Sequence, residues 1–186
     1  MIPNFLDYIE EILIPEATLQ QRIKELGAEI SRDYQDQEIL LVCILRGGVI
    51  FLSDLVRSIT TPIMLDFMAV ASYGIGARKS EGKARITLDI NTDIRDRNVL
   101  LIEDIVDSGH TIKAVMELLE TRRPCSIRVC TLLDKAERRE VSVPIHYCGF
   151  VIPDKFIFGY GLDLDEYCRN LPFIATLAQD HYHPLG

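Results

Sequence analysis

The sequence lacks an excess of basic residues and any long apolar run, and each absence excludes a class of protein. Its 186 residues include 20 Lys and Arg against 28 Asp and Glu, a formal net charge of −8. Binding to nucleic acid through a broad basic face is therefore excluded. The longest apolar run, Ile39 to Leu45, is far shorter than the ~20 residues of a membrane-spanning helix. Because 48% of the residues are apolar, we expect one globular domain rather than a disordered chain.

Paired cysteines and the common nucleotide-binding fingerprints are also missing. The five cysteines are odd in number and form no C-x-x-C pair, which favours a reducing compartment without a disulfide framework. The first ten residues are acidic and lack the basic start of a signal peptide. No P-loop and no G-x-G-x-x-G motif is present. We therefore expect a cytoplasmic protein that does not engage a membrane.

Apolar periodicity predicts alternating strands and helices. Helices are predicted at about 19–32, 49–59 and 111–122, and strands at 39–45, 62–72, 86–90, 99–102, 126–133, 147–152 and 155–160. Residues 73–83, with three glycines and few apolar anchors, are predicted to form a mobile loop. This alternation is typical of an α/β fold with a mostly parallel central sheet flanked by helices. In such sheets ligands bind beyond the carboxyl ends of the strands.

The most informative motif is the string Val99-Leu-Leu-Ile-Glu-Asp-Ile-Val-Asp-Ser-Gly-His-Thr111. A buried strand ends in the adjacent carboxylates of Glu103 and Asp104, and a short loop then opens a helix. The free N–H groups and the dipole at a helix N-terminus favour a phosphate, whereas carboxylates repel one. Paired carboxylates suit sugar hydroxyls or a divalent cation. The loop is therefore predicted to bind a ribose phosphate.

The whole string is similar to the ribose-phosphate loop of type I phosphoribosyltransferases, enzymes that transfer ribose 5-phosphate from phosphoribosyl pyrophosphate (PRPP) to a base. Leu45–Gly48 resembles the pyrophosphate loop of that family, and Ser72–Gly74 resembles the start of its catalytic lid. Segments 132–135 and 153–163 resemble the base-binding segments of its hypoxanthine/guanine branch. The resemblance covers Leu40 to Leu177. It implies a single domain with its core at about 36–165, a small hood from about 1–20 and 150–186, and a flexible lid at about 72–85.

The resemblance also implies an activity in purine salvage. A Mg²⁺-dependent enzyme, with two metal ions, would transfer ribose 5-phosphate to N9 of hypoxanthine and also of guanine, giving IMP or GMP and pyrophosphate. Asp107 would be the general acid/base beside N7 of the purine. Relatives are usually dimers or tetramers, so a homodimer or homotetramer is expected.

Further roles are implied for individual residues of this sequence. The implied contacts to PRPP are Arg46, Gly47, Glu103, Asp104, Asp107, Ser108, Gly109, His110, Thr111 and Arg169. The implied purine contacts are Lys135, Phe156, Ile157 and Asp163; the metal ligands are Glu103, Asp104 and Asp163; and the lid residues nearest the reacting atoms are Ser72 and Tyr73. Lys135 would donate to the 6-oxo group and so favour 6-oxopurines over adenine. His110 departs from the family pattern, and a solvated loop histidine is expected.

Plainer interpretations of the same residues stay open at this point. Asp107 suits a turn cap, Thr111 a helix N-cap, Arg169 a surface ion pair, and Phe156 an ordinary core aromatic. For the whole protein, one alternative is a phosphoribosyltransferase that prefers xanthine. Another is a regulator that keeps the fold to sense PRPP or a nucleotide, although the acidic composition and the complete residue set argue against it.

Overall fold

The computed structural model describes residues 5–71 and 85–178. Single 3-10 turns cover Phe5–Tyr8 and Ala136–Arg138. The helices are α1 (Glu16–Asp33), α2 (Gly48–Val56) and α3 (His110–Glu120). The strands are β1 (Ile9–Ile14), β2 (Ile39–Leu45), β3 (Ile63–Ala71), β4 (Arg85–Leu88), β5 (Asn98–Val106), β6 (Ser126–Asp134), β7 (Tyr147–Val151), β8 (Ile157–Phe158) and β9 (Ile174–Leu177).

Six strands form the large sheet, in the order β4-β3-β2-β5-β6-β7. All neighbours are parallel except β4, which pairs antiparallel with β3. The central strand β2 is an unbroken apolar run with almost every residue buried, as expected of a strand covered on both faces. The predicted parallel α/β sheet is therefore confirmed.

The side chains of β2 alternate between two apolar layers. Leu41 and Cys43 pack in the layer that includes α1 and α2. Leu40 and Val42 pack in the opposite layer, which includes α3. Because both faces of this strand are buried, its residues are apolar on both sides. Residues 39–45 therefore show no alternation of polar and apolar residues in the sequence.

The second sheet is small and unites segments from opposite ends of the chain. Strand β9 lies between β1 and β8, and both pairings are antiparallel. The strands of this sheet lie within the segments predicted to form the hood, about 1–20 and 150–186, and the hood itself stays a prediction. The strand predicted at 155–160 was too long, because only Ile157–Phe158 is extended before three consecutive residues, Gly159, Tyr160 and Gly161, take positive φ.

Helix bounds differ from the predictions at several ends. Helix α1 begins at Glu16 behind Pro15, α2 ends at Val56, and α3 begins at His110. Gly109 is the N-cap of α3, so the interpretation of Thr111 as an N-cap was wrong. The predicted lid at 72–85, with Ser72 and Tyr73, lies almost entirely outside the described residues. Among the described residues, no helix has the length and apolarity to cross a membrane.

Candidate active site

Three parallel strands end at the same edge of the large sheet, and their ends assemble the candidate site. Cys43 of β2 is in register with Ile102 of β5, so the loop after β2 lies beside the acid pair of β5. Val106 of β5 is in register with Asp134 of β6, so Lys135 follows beside Asp107. Sequence order alone separates these groups by up to about ninety residues, whereas the topology makes them neighbours.

The loop after β2 packs against the acid pair through a glycine. A Cβ atom on Gly47 would lie 1.5 Å from Oδ2 of Asp104, so no larger residue fits while Asp104 keeps this position. The Leu45–Arg46 peptide bond is cis. A cavity of about 370 Å³ opens here. It is lined by Ile44, Leu45, Arg46, Gly47, Val70, Glu103, Asp104, Thr111, Asp163, Glu166 and Arg169.

Glu103 and Asp104 are buried carboxyl groups, with 8% and 9% of their surface exposed. Asp104 Oδ1 accepts a hydrogen bond from the N–H of Ile105 at 2.8 Å. Oε2 of Glu103 is buried and has no hydrogen-bond partner. Burial raises the pKa of Asp104, and burial together with the neighbouring charge of Asp104 raises the pKa of Glu103 well above its usual range. An adjacent cation would reverse both shifts.

The turn from β5 into α3 depends on Gly109. Its φ of 91° lies in the left-handed region, and an added Cβ would lie 2.8 Å from the carbonyl oxygen of Val141. The carbonyl of Ser108 accepts hydrogen bonds from the N–H groups of Glu140 and Val141 at 3.0 and 3.1 Å. A cavity of about 140 Å³ lies over this turn and is lined by Glu103–Gly109, Thr111 and Ile112. The N-terminus of α3 therefore lies beside this small cavity.

Asp107 is only partly paired. Its Oδ1 is buried without a hydrogen-bond partner, and its Oδ2 lies 3.4 Å from Nη1 of Arg138. Its carbonyl oxygen accepts a hydrogen bond from Nε of Arg139 at 3.0 Å, and Arg139 forms a close ion pair with Asp134. The interpretation of Asp107 as a turn cap is wrong, because its side chain makes no hydrogen bond within the turn.

The predicted purine contacts come from different segments, and Lys135, at the end of β6, lies beside the strand end that carries Asp107. Lys135 is 7% exposed, its N–H donates to the carbonyl of Val106 at 3.0 Å, and its Nζ lies 3.9 Å from Oδ1 of Asp154. Ile157 is buried in β8, whereas Phe156 is 47% exposed. The interpretation of Phe156 as a core aromatic was therefore wrong, and its ring is available to a ligand.

Asp163 and Arg169 form an ion pair of 2.7 Å and line the larger cavity. Arg169 also donates from Nη1 to the carbonyl of Gly161 at 2.8 Å. Arg46 lies within 2.6 Å of the carboxylate of Glu166. Arg169 therefore faces this cavity rather than making an isolated surface pair.

His110 lies at the edge of the site. Its Nε2 is 2.9 Å from Oε2 of Glu140, so the expected solvated imidazole has a carboxylate partner. Within residues 5–71 and 85–178, no group of three His, Cys, Asp or Glu side chains forms a ready-made metal cage. Any bound Mg²⁺ would thus take part of its coordination from water or from a substrate.

Sequence reasoning missed four charged residues of this site: Arg138, Arg139, Asp154 and Glu166. Two of them follow Lys135 closely, and a run of charges after a core strand is a signal that they face the strand ends. Glu166 lies between Asp163 and Arg169, two residues that were selected. Its contact with Arg46 spans 120 positions and has no sequence signal.

Comparison with known proteins agrees with this geometry. The family model described as "Phosphoribosyl transferase domain" matches residues 11–165. The chain belongs to the phosphoribosyltransferase family. The hypoxanthine phosphoribosyltransferase of Salmonella typhimurium is 46% identical over 170 residues, which are 90% of this chain and 95% of that protein. A hypoxanthine-guanine phosphoribosyltransferase of Staphylococcus aureus is 43% identical over 174 residues, 94% and 97% of the two chains.

A solved structure extends the agreement to three dimensions. The crystal structure of a hypoxanthine phosphoribosyltransferase from Staphylococcus aureus matches with a TM-score of 0.91 at 42% identity, covering 98% of this chain and 99% of that one. Both the predicted family and the predicted phosphoribosyltransferase fold are therefore confirmed.

Proposed function

We propose that the protein transfers ribose 5-phosphate from PRPP to N9 of a 6-oxopurine, hypoxanthine and also guanine, in Mg²⁺-dependent purine salvage. The products are IMP or GMP and pyrophosphate. The observation that carries the proposal is the meeting of three features at one sheet edge. A helix N-terminus built for phosphate lies beside a buried carboxylate pair, and both lie next to a buried ammonium, that of Lys135.

PRPP would occupy the two cavities that share Glu103, Asp104 and Thr111. Its 5-phosphate fits the smaller cavity, where Ser108–Thr111 supply backbone and hydroxyl donors at the start of α3. Its ribose hydroxyls then reach the acid pair, and its pyrophosphate enters the larger cavity. There the backbone at Arg46–Gly47 and the side chain of Arg169 are the donors.

The acid pair fits a role in holding Mg²⁺. Oε2 of Glu103 is buried without a partner, and a hard cation prefers carboxylate oxygens. Glu103 and Asp104 would hold one ion, and Asp163 would hold a second. When bound, the metal neutralises charge on the departing pyrophosphate. The protein contributes two adjacent carboxylates that are buried away from water.

The base would lie between Asp107 and Lys135. The buried ammonium of Lys135 donates to O6 but repels the amino group of adenine. The exposed ring of Phe156 stacks on the purine, and Ile157 offers its backbone to the base edge, close to Asp163. As the bond from N9 to C1′ forms and the bond from C1′ to pyrophosphate breaks, the carboxylate of Asp107 takes the proton from N7. The free Oδ1 of Asp107 supports this role.

Two wider proposals follow from composition and surface. The five cysteines are free, so we place the enzyme in the reducing cytoplasm. We also propose a homodimer or homotetramer. Val49, Leu65 and Leu88 are each about two-fifths exposed, and association with further copies of the chain would remove such side chains from water. Light scattering measures the mass of the assembly.

A substrate panel tests the function. Purified protein is incubated with PRPP and hypoxanthine, guanine, xanthine or adenine, with Mg²⁺ or with EDTA, and the nucleotide is identified by chromatography. We expect IMP and GMP in the presence of Mg²⁺ only. Turnover of xanthine alone would support the alternative substrate, and turnover of adenine alone would contradict the role of Lys135. Binding of PRPP without turnover of any base would favour a sensing regulator.

A further inference from the structure

The carboxylate of Glu166 bridges the two arginines that line the larger cavity, in which pyrophosphate would bind. It lies 2.6 Å from Nη2 of Arg46 and 3.6 Å from Nη2 of Arg169. Arg46 follows β2, whereas Glu166 and Arg169 belong to the loop after β8. Glu166 therefore contacts both arginines of the cavity. Its carboxylate occupies the position where an anionic ligand would bind.

The loop that carries Glu166 is held in an uncommon conformation. Asp165 and Glu166 both have φ in the left-handed region, at 50° and 70°, a state that non-glycine residues adopt at some cost. The N–H of Glu166 donates to Oδ2 of Asp163 at 3.0 Å. The next residue, Tyr167, stacks on Phe5 with ring centroids 5.0 Å apart. These contacts hold the backbone at Glu166 and at the residue that follows it.

The charges around the cavity make this position unfavourable for a polyanion. Two cations, Arg46 and Arg169, line it together with four carboxylates, those of Glu103, Asp104, Asp163 and Glu166. Mg²⁺ arriving with the substrate can neutralise the first three, which the proposed function assigns to metal. Glu166 has no such assignment, and it pairs with both arginines of the cavity.

We propose that Glu166 is a built-in competitor of pyrophosphate, which sets the affinity of the enzyme for PRPP and for the released product. This inference rests on the proposed function and adds a residue that determines affinity. Pyrophosphate must displace the carboxylate from Arg46 and Arg169 to bind, and the carboxylate returns as pyrophosphate leaves. The enzyme thereby binds its polyanionic ligand less tightly than the two arginines alone would allow.

The expected effect is modest because the pair is exposed. The side chains of Arg46 and Glu166 are 67% and 62% exposed, and exposed ion pairs contribute little to stability. Removal of the competing charge should therefore tighten pyrophosphate binding by about two- to fivefold. Salt screens exposed pairs, so the gain should shrink as ionic strength rises.

The test compares Glu166→Gln with the matched control Glu38→Gln. Glu38 also pairs with an arginine, Arg97, at 2.5 Å, but it precedes β2 and so lies at the opposite end of that strand. Titration calorimetry at fixed Mg²⁺ measures binding of pyrophosphate, PRPP and IMP. We expect Glu166→Gln to bind pyrophosphate and PRPP more tightly, and IMP unchanged because it carries no pyrophosphate. The control should match the wild type for all three.

Other outcomes overturn the inference. Weaker binding of pyrophosphate to Glu166→Gln would mean that Glu166 serves the bound complex, through metal or water. Equal tightening for IMP would indicate a general change in the site rather than local competition. Failure of the proposed function is distinguishable, because then the wild-type protein neither binds pyrophosphate nor forms a nucleotide. If the wild type binds pyrophosphate and forms a nucleotide, but Glu166→Gln binds pyrophosphate no more tightly, only the role of Glu166 is disproved.

Discussion

Two buried acidic sites in this protein have the same exposure and opposite surroundings. Asp66 of β3 is 8% exposed, as is Glu103. The carboxylate of Asp66 accepts hydrogen bonds from the N–H groups of Phe67, Asn91 and Thr92, at 2.8, 2.9 and 2.8 Å. Glu103 instead has a buried oxygen without a partner. Burial alone therefore does not distinguish a structural carboxylate from a functional one.

The surroundings have opposite electrostatic consequences. Burial tends to raise the pKa of Asp66, but hydrogen bonds from Thr92, Phe67 and Asn91 outweigh it and lower the pKa. At Glu103, burial and the adjacent Asp104 act in the same direction and raise the pKa. Asp66 is thus stabilised as an anion by the fold, whereas the anion of Glu103 has no such stabilisation, which suits the metal role that we propose for it. We infer that a carboxylate with a functional role differs from a structural one by an oxygen that its surroundings leave without a hydrogen-bond donor.

The largest expected effect concerns Asp107, which also has an unsatisfied oxygen. Asp107→Asn removes the proton acceptor while keeping the shape of the side chain. We expect turnover to fall by roughly two to four orders of magnitude, measured as IMP formation, with PRPP affinity nearly unchanged.

The control for that variant is Asp154→Asn, which also removes one negative charge close to Arg138. It should reduce turnover far less. Near-wild-type turnover in Asp107→Asn would remove Asp107 from the chemistry.

A second effect concerns the stability that Asp66 provides. Asp66→Asn places an amide where three N–H groups require an acceptor. We expect the free energy of unfolding to drop by about 2 kcal/mol, the scale of charge-assisted hydrogen bonds, measured by urea denaturation. Catalytic constants of the folded fraction should be unchanged. Equal stability of the variant and the wild type would mean that Asp66 does not anchor the segment before β5.

The smallest effect is a gain in stability. Glu103→Gln replaces a buried acid with a neutral isostere, and we expect the free enzyme to unfold with a free energy higher by roughly 1–2 kcal/mol at pH 8. Activity should fall in the same variant because the predicted metal ligand is lost. Glu117→Gln, on the exposed face of α3, is the control and should change neither quantity.

The sequence predicted the centre of the large sheet well because β2 and β5 are almost wholly buried and strongly apolar. A strand such as Ile39–Leu45 can be predicted from its own residues, without knowing which strands pair with it. The hood was implied only by resemblance, since β8 has two residues and β1 is largely exposed. Short strands with mixed exposure carry too little pattern to be recognised, and the end of β8 depends on positive φ angles at Gly159, Tyr160 and Gly161.

In the candidate site, too, the sequence predicted some residues and missed others. Acids and glycines within one loop, such as Glu103, Asp104 and Gly109, were selected because the loop is contiguous. Contacts between different loops were not predicted. The contact of Arg46 with Glu166, for example, depends on how the small sheet packs against the large one. The free oxygens of Glu103 and Asp107 likewise become visible only once every neighbouring donor has a position.

The central claim is that the fold satisfies its structural acid and leaves its functional acid unsatisfied, and the pH dependence of stability tests it most directly. Unfolding free energies of wild type, Asp66→Asn and Glu103→Gln are measured from pH 3 to 8.5. The lowered pKa of Asp66 means that its stabilisation is complete above the unfolded value near 3.9 and is lost as pH falls through the folded value. The deficit of Asp66→Asn should therefore shrink as pH falls below about 3.9.

The raised pKa of Glu103 has the opposite sign. Above the unfolded value of about 4.3, the unfolded chain releases its proton first, and the wild type loses stability as pH rises toward the folded value. The advantage of Glu103→Gln should therefore grow from pH 4.5 toward pH 8. An advantage that is absent at pH 8, or a deficit that widens with pH, would contradict the account.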